Sequence, residues 1–316
     1  MASAATDTRL VVAIIGPTGT GKSAVAVALA AEFGGTVISA DSMQVYQRMN
    51  IGTAKLDAYQ RCGISHELID VVPPQYHFSV AEYQRLATSA IETALATRHL
   101  PIVAGGTGLY VRALLDGYEF VAEKPDDGTR RRLRSLSEEE LRRCLALVDP
   151  PAERAIAPGD SRRLSRALEI AEETQSPPSE VKHRRHAVPW RVLRIGLSMD
   201  RSQLYARLEQ RVDAMMAAGM EEEVRSLLAS GVTSEDTAMQ GIGYKEIASW
   251  LQGTTSREEA IALWKQRTRN YAKRQETWFR KEKDVHWIDV SHMTEPDVVR
   301  QAAGLISAAR EEQVAC

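Results

Sequence analysis

Residues Leu10 to Ser23 read LVVAIIGPTGTGKS, an apolar run followed at once by a glycine-rich loop. The run Leu10–Ile15 has the length and composition of a buried parallel strand, and Ala24 to Phe33 continues with apolar residues at helical spacing. Between them, Gly16–Ser23 matches G-x-x-x-x-G-K-[ST], a loop whose backbone N–H groups converge on phosphate at the positive end of a helix. The sequence therefore predicts a phosphate-binding site.

The loop residues have distinct expected roles. Lys22 is expected to reach the outer phosphate, and the Ser23 hydroxyl is expected to bind Mg²⁺. The alternative is a glycine-rich turn without a ligand, which the complete motif between strand and helix disfavours. The motif alone does not say which phosphate compound binds. The residues predicted to hold it are Gly16, Pro17, Thr18, Gly19, Thr20, Gly21, Lys22 and Ser23.

Composition favours an ordinary globular enzyme. The 316 residues suggest one large domain or one domain with an insertion, and a net charge of −2 neither predicts nor excludes a nucleic-acid partner. Cys62, Cys144 and Cys316 are scattered without a C-x-x-C pair, which argues for a reducing compartment and against a zinc site. With no signal-peptide pattern and no apolar run of membrane length, we expect a cytoplasmic protein that does not bind a membrane.

The order of apolar runs predicts an α/β fold, with a P-loop NTPase-like parallel sheet flanked by helices. Residues 1–117 form the predicted core, 118–190 a mostly helical insertion, and 191–316 a return to the core with helices at the C-terminal end. The expected strands are Leu10–Ile15, Thr36–Ser39, Pro101–Ala104, Arg191–Leu197, Val285–Ile288 and a weaker one near Leu68–Val72.

Helices are expected where apolar residues recur every three or four positions. Ser79 followed by Glu82 has the spacing of a capping box. Leu204 to Met215 indicates a long amphipathic helix. The other expected helices are Ser79–Thr97, Thr129–Val148, Ser161–Thr174, the region Arg257–Lys283 and Glu295–Ala309.

Two further strand ends carry chemically capable residues. Asp41 follows the second strand and can act as a base, as a Mg²⁺ partner or as a helix N-cap. Thr107 follows another strand in a glycine turn and is a ligand or simply a turn residue. Ile102 to Ala104 leads to glycines, whereas a nucleotide hydrolase carries a carboxylate after such a run. This favours a site where the phosphates leave with another group.

The C-terminal segment Lys265–Lys283 is rich in cations, with Tyr271, Trp278 and Phe279 interleaved. Lysine and arginine neutralise nucleic-acid phosphates and aromatic rings stack on unpaired bases, so the segment is a candidate RNA surface. The alternative is a solvated helix face whose aromatic residues point into the core. The insertion also contains clustered basic residues, in Arg162 to Arg166 and in Lys182 to Arg185, and this favours the interpretation as an RNA surface.

Eight segments, spread along nearly the whole chain, match the motifs of one protein family and occur in the same order. They are GPTGTGKS (Gly16–Ser23), ISADSMQVYQ (Ile38–Gln47), IGTAK (Ile51–Lys55), AGGTGLY (Ala104–Tyr110), RRLSRALEI (Arg162–Ile170), GMEEEVR (Gly219–Arg225), MQGIGYKE (Met239–Glu246) and KRQETWFRK (Lys273–Lys281). In these segments the chain resembles the tRNA dimethylallyltransferases, also called tRNA isopentenyltransferases. It lacks the Cys/His framework of the zinc finger in eukaryotic members, so it resembles the bacterial type.

The resemblance implies a Mg²⁺-dependent transfer of the dimethylallyl group from dimethylallyl diphosphate to N6 of an adenosine, with release of diphosphate. That adenosine lies just 3′ of the anticodon in tRNAs that read U-initial codons. Asp41, Thr107 and Lys22 are the implied catalytic residues, and Arg225 is expected to approach the diphosphate. The implied partners are dimethylallyl diphosphate and the anticodon stem-loop of tRNA, and the protein is expected to be a monomer.

The resemblance also implies a tRNA-binding set. The target base must leave its stack to reach a buried site, and the insertion is expected to close over the substrate. The implied tRNA contacts are Asp41, Ser42, Met43, Gln44, Thr107, Arg130, Arg162, Arg163, Leu164, Ser165, Arg166, Gln240, Gly241, Ile242, Gly243, Tyr244, Lys245, Lys273, Arg274, Gln275, Trp278 and Arg280.

Three other functions share part of this pattern. A small-molecule kinase that uses ATP shares the loop and sheet but leaves the basic C-terminal helix unexplained. An adenylate isopentenyltransferase uses the same donor with free AMP, ADP or ATP, and the insertion and the KRQETWFR segment argue against it. An RNA-binding module with a vestigial loop is disfavoured by the intact Lys22, Ser23 and Asp41. Whether ATP occupies the loop stays open.

Overall fold

A computed structural model describes residues 9–118, 127–181 and 186–312. The basic run Lys182–Arg185 and Cys316 lie outside the described residues. The chain divides into two compact units, one formed by Met1–Leu115 with Val188–Cys316 and the other by Asp116–Ala187.

The larger unit is built on a six-stranded sheet. Among the described residues, every strand pairing is parallel. The strands are β1 (Leu10–Ile15), β2 (Gly35–Ser39), β3 (His66–Glu67), β4 (Leu100–Gly105), β5 (Arg191–Ser198) and β6 (Val285–Asp289), and their order across the sheet is β3-β2-β4-β1-β5-β6. This arrangement confirms the predicted α/β class.

The register brings three strand ends to one edge of the sheet. Ile15 at the end of β1 pairs with Gly105 of β4, and Ser39 at the end of β2 pairs with Ala104. The loops that follow these strands therefore leave the sheet side by side. Ligands of open parallel sheets bind at this carboxyl edge.

The weak strand predicted near Leu68–Val72 is wrong. The structure has instead the two-residue β3 just before it, and Val72 forms an isolated parallel bridge with Tyr46. Leu68 and Asp70 have φ angles of 64° and 57°, in the left-handed region that an extended strand does not use. These two residues turn the chain out of the sheet.

Helices cover both faces of the sheet, as a buried parallel sheet requires. Val12 and Ile14 of β1 face one core, and Val11 and Ile15 face the other. No helix within the described ranges is long and apolar enough to cross a membrane. The helices of this unit are α1 (Lys22–Phe33), α2 (Val80–Ala96), α3 (Gly108–Leu115), α8 (Arg201–Ala217), α9 (Met220–Ala229), α10 (Tyr244–Leu251), α11 (Arg257–Phe279) and α12 (Glu295–Glu311).

The smaller unit is helical, with its own leucine-rich core around Leu145 and Leu164. The charged stretch from Thr129 to Val148, predicted to be helical, forms two helices. Ser137 and Glu140 make a capping box that begins the second helix, because each side chain accepts a hydrogen bond from the other residue's backbone N–H. The helices are α4 (Asp127–Arg134), α5 (Glu138–Val148), α6 (Pro150–Ala155) and α7 (Ser161–Thr174).

Candidate active site at the carboxyl edge of the sheet

The turns after β2 and β4 are joined by backbone hydrogen bonds. Ala40 N–H donates to the Ala104 carbonyl at 2.8 Å, and Thr107 N–H donates to the Ala40 carbonyl at 3.1 Å. A Cβ on Gly105 would lie 2.2 Å from the Ala40 oxygen, so only glycine allows this approach. The glycine turn thus places Thr107 next to the Asp41 segment.

Asp41 lies in a turn held by its own side chain and by Thr107. Asp41 Oδ1 accepts a hydrogen bond from Met43 N–H at 2.9 Å, so the carboxylate stabilises a turn and does not cap a helix. The Thr107 hydroxyl accepts from Ser42 N–H at 3.0 Å and donates to the Ser42 hydroxyl at 3.3 Å. One carboxylate oxygen is fixed in this way, and Thr107 supports the turn that carries it.

Lys22 and Asp41 are partly buried residues whose charges influence each other. Burial lowers the pKa of Lys22 to about 7, against the attraction of Asp41, which raises it. Burial also raises the pKa of Asp41, opposed by the hydrogen bond from Met43 and by the charge of Lys22. Lys22 Nζ donates to the Pro17 carbonyl at 2.6 Å. Both residues keep some exposed surface, but burial is the largest cause of each pKa shift. Perturbed titrating groups of this kind mark functional sites.

Arg211 of α8 is a site residue that the sequence interpretation missed. Its guanidinium donates to the Thr18 hydroxyl at 3.0 Å and lies close enough to Asp41 and Lys22 to affect the pKa values of both. Its Nε is buried without a hydrogen-bond partner among the described residues. A signal was present in the sequence. Arg211 falls beside Leu208 and Val212, on the side of α8 that the core covers.

Arg225 was the arginine expected at the diphosphate, and this stays a prediction. In the structure its guanidinium pairs with Glu221 at 2.7 Å and lies 3.9 Å from Glu222, both on α9. Within the described contacts, Arg211 is the arginine that reaches the phosphate-binding loop.

Glu223, on the same helix as Arg225, holds the segment that follows Asp41. Its carboxylate accepts backbone hydrogen bonds from Asn50, Ile51 and Gly52 between 2.9 and 3.3 Å, and another from the Tyr244 hydroxyl. The Thr53 carbonyl, one residue further on, accepts from the Gln44 side-chain amide at 3.1 Å. The orientation of Gln44 therefore depends on a loop that Glu223 holds.

We expect Glu223→Gln to lower the free energy of unfolding by about 2 kcal/mol, because the new amide NH₂ would point at N–H groups that need an acceptor. Chemical denaturation measures the change. Glu222→Gln is the matched control, because that neighbouring side chain is 80% exposed and should change stability by less than about 0.5 kcal/mol. Equal effects of the two substitutions would contradict the role of Glu223 in holding the segment that follows Asp41.

The predicted tRNA contacts differ in accessibility. Leu164 is fully buried in the core of the smaller unit, and Tyr244 is buried with its hydroxyl on Glu223. Gln275 is also buried. The side chains of Arg130 and Arg166 are partly exposed and form ion pairs with Glu169. The exposed members of the set are Arg162, Arg163, Gln240, Lys245, Lys273, Arg274 and Arg280.

The donor set suits a magnesium ion that is held mainly by a ligand. Ser23 is exposed in the first turn of α1, where its hydroxyl is available. Across the described residues, no cluster of three or more His, Cys, Asp or Glu side chains could hold a metal alone. Mg²⁺ commonly keeps several waters and binds through one or two protein oxygens plus substrate phosphates. The residues present fit that mode of binding.

Comparison with known proteins gives consistent matches over most of the chain. A family model described as IPP transferase matches residues 44–282, and one described as Isopentenyl transferase matches residues 9–62. The chain is 44% identical to a Desulforudis audaxviator protein named tRNA dimethylallyltransferase, over 95% of each chain. It is also 44% identical to a protein of the same name from Moorella thermoacetica, over 93% of each chain.

Solved structures show the same similarity in three dimensions. The crystal structure of a full-length tRNA isopentenylpyrophosphate transferase from Bacillus halodurans matches with a TM-score of 0.75 and 38% identity, over 97% of this chain and 98% of that one. A eukaryotic dimethylallyltransferase acting on tRNA matches with a TM-score of 0.77 and 30% identity, over 90% of this chain and 74% of that one.

Proposed function

This chain belongs to the IPP transferase family, and we propose that it transfers the dimethylallyl group of dimethylallyl diphosphate to N6 of a tRNA adenosine. The acceptor is the adenosine 3′-adjacent to the anticodon in tRNAs that read U-initial codons, and diphosphate is released. The observation that carries the proposal is the placement of one carboxylate, Asp41, against the cations Lys22 and Arg211 at the phosphate-binding loop.

The carboxylate and the two cations have complementary roles in this reaction. As the allylic C–O bond breaks, negative charge grows on the leaving diphosphate, and the cations with the loop N–H groups stabilise it. The N6–C bond forms at the same carbon, and the amino proton passes to Asp41. Burial raises the pKa of Asp41, which makes its carboxylate a stronger base than an exposed aspartate.

Thr107 and Gln44 support the acceptor side of the site. Thr107 holds the turn that carries Asp41, so it positions the base in addition to any contact with diphosphate. Gln44 is held by the Thr53 carbonyl and by Ser39, whose hydroxyl donates to its Oε1 at 3.0 Å. A fixed amide of this kind offers a hydrogen-bond edge to an extruded base.

Mg²⁺ would be held by the Ser23 hydroxyl together with diphosphate oxygens, and when bound it would neutralise charge on the leaving group. The exposed cations of α11 and of α7 would contact the backbone of the anticodon stem-loop, since arginine and lysine neutralise RNA phosphates. Arg162, Lys273 and Arg274 are exposed and suited to this role.

The proposal is tested by supplying the enzyme, Mg²⁺ and labelled dimethylallyl diphosphate with tRNA or with AMP in parallel. Label is expected in tRNA, and nuclease digestion should recover it in the nucleoside next to the anticodon. A transcript with that adenosine replaced by guanosine is the matched control and should stay unlabelled. Label in AMP alone would show a free-nucleotide prenyltransferase instead.

The pKa of Lys22 predicts that proton uptake accompanies binding. Because burial lowers this pKa to about 7, the ammonium loses its proton as pH rises through 7 in the free protein. A bound diphosphate restores a high pKa, so near pH 8 binding should take up close to one proton at this site, and affinity should fall as pH rises.

Calorimetry in two buffers of different ionisation enthalpy measures this uptake. The Lys22→Met variant measures the proton uptake that comes from the ligand and from all groups other than Lys22. The proton count should be larger for the unsubstituted protein at pH 8, and the difference should vanish near pH 6, where Lys22 is already charged. Equal counts at pH 8 would contradict the assignment.

A further inference from the structure

Gln275 is a buried polar residue on the core-facing stripe of α11. The buried positions of this helix include Trp264, Thr268, Ala272 and Phe279, and Gln275 falls among them with 5% of its surface exposed. Its neighbours Lys273 and Arg274 are exposed and belong to the basic face. A buried amide must have its hydrogen bonds satisfied, so its partners define its role.

Both ends of the Gln275 amide bind backbone groups of the active site. Its Oε1 accepts from Thr18 N–H in the phosphate-binding loop at 2.8 Å, and its Nε2 donates to the Gly106 carbonyl at 2.8 Å. A Cβ on Gly106 would lie 2.2 Å from Nε2, so the glycine leaves the room that the amide occupies. The side chain joins the loop after β1 to the turn after β4.

We propose that Gln275 is a positioning residue that holds the phosphate-binding loop and the Gly106–Thr107 turn at a fixed separation. The proposal deepens the proposed function and rests on it. Lys22 and Arg211 act on the diphosphate from one side of this bridge, whereas Thr107 and the Asp41 turn lie on the other. Transfer needs the allylic carbon and the base aligned to within a fraction of an ångström, so the bridge serves catalysis without touching substrate.

Only an amide of this length satisfies both partners. Glutamate keeps an acceptor for Thr18 N–H but cannot donate to the Gly106 carbonyl, and it adds a negative charge beside a diphosphate site. Leucine fills similar space and offers neither bond. Because Thr18 N–H is taken by Gln275, the later amides of the loop bind the phosphate in this arrangement. This role differs from the tRNA contact that the sequence resemblance implies for Gln275.

The test compares Gln275→Leu with Gln266→Leu, the same substitution at an exposed position of the same helix. Calorimetry with inorganic diphosphate, without RNA, should show Kd about tenfold weaker for Gln275→Leu and unchanged for Gln266→Leu. The Kd for an anticodon stem-loop should change less than twofold in both. Under saturating substrates, kcat of Gln275→Leu should also fall.

A second variant reaches the same bridge from the other side. Gly106→Ala should push the Gln275 amide off the Gly106 carbonyl and weaken diphosphate binding similarly, whereas Gly304→Ala, with open space around it, is the control. The double substitution of Gln275 and Gly106 should cost less than the sum of the two single losses. Thermal unfolding would reveal whether Gln275→Leu fails to fold. In that case Gly106→Ala and its control Gly304→Ala still test the proposal.

The proposal is overturned if Gln275→Leu weakens stem-loop binding and leaves diphosphate binding intact, because Gln275 is then an RNA contact. Strict additivity of the two folded variants also overturns it. These outcomes are distinguishable from failure of the proposed function. Diphosphate binding is measured without an acceptor, whereas the proposed function fails when the unsubstituted enzyme labels AMP and leaves tRNA unlabelled.

Discussion

Asp41→Asn is expected to lower kcat for prenyl transfer about 10³-fold, within the range that a positioned general base contributes. The asparagine Oδ1 can still accept the hydrogen bond from Met43 N–H, so the turn is expected to persist. What the variant loses is the ability to take a proton from the adenine amino group. Single-turnover transfer of labelled dimethylallyl to tRNA measures the loss, and the Kd values for tRNA and for diphosphate should change by less than about threefold.

Asp57→Asn is a matched control, because Asp57 also accepts a backbone hydrogen bond in a turn, from Gln60 N–H at 2.8 Å, but is exposed. It should retain full activity. Normal turnover of Asp41→Asn would remove Asp41 from the role of base. Lost diphosphate binding in that variant would assign it a structural role at the loop instead.

The parts of the site that could be predicted from the sequence are those built by local geometry. β1, the phosphate-binding loop and α1 are contiguous, so spacing alone places Lys22 and Ser23. The Asp41 turn and the turn that holds Thr107 each follow a strand directly, and parallel strands end at a common edge. The prediction failed near Leu68–Val72, where residues with positive φ turn the chain out of the sheet despite a strand-like composition.

Arg211 and Gln275 could not be placed in the same way, because both reach the loop from far along the chain. Each contacts Thr18, from sequence separations of 193 and 257 residues. Only the packing of α8 and α11 against the sheet determines which side chains arrive. Both residues share one signal that the sequence did contain, a polar side chain at a core-facing position of an amphipathic helix.

Motif membership also conceals which residues can touch a substrate. Leu164 and Tyr244 lie in segments that match the family, yet both are buried, and the Tyr244 hydroxyl is bound to Glu223. A family motif includes residues that contact the substrate and also residues that only support the substrate-contacting ones. Burial depends on tertiary packing, so the periodicity within one segment distinguishes poorly between residues that contact the substrate and buried residues that support them.

Arg211→Leu is expected to weaken diphosphate binding about 30-fold and to lower kcat/KM for dimethylallyl diphosphate about 10³-fold. Binding loses a charge-assisted contact, whereas the transition state loses the cation that faces a growing negative charge. Because the effect on kcat/KM exceeds the effect on Kd, the difference measures stabilisation that exists only as the C–O bond breaks. Arg201→Leu, at an exposed position of the same helix, is the control.

Arg225→Leu decides between the two arginines. Its guanidinium pairs with Glu221 on its own helix and not, in the contacts described, with the loop, so its replacement should change kcat/KM by less than about threefold. If instead Arg225→Leu is the damaging substitution and Arg211→Leu is mild, the diphosphate is held from α9. The loop region must then rearrange when substrate binds, since Arg211 already donates to Thr18 in the free protein. The same pair of variants therefore identifies the anchoring arginine and tests whether the site is preformed.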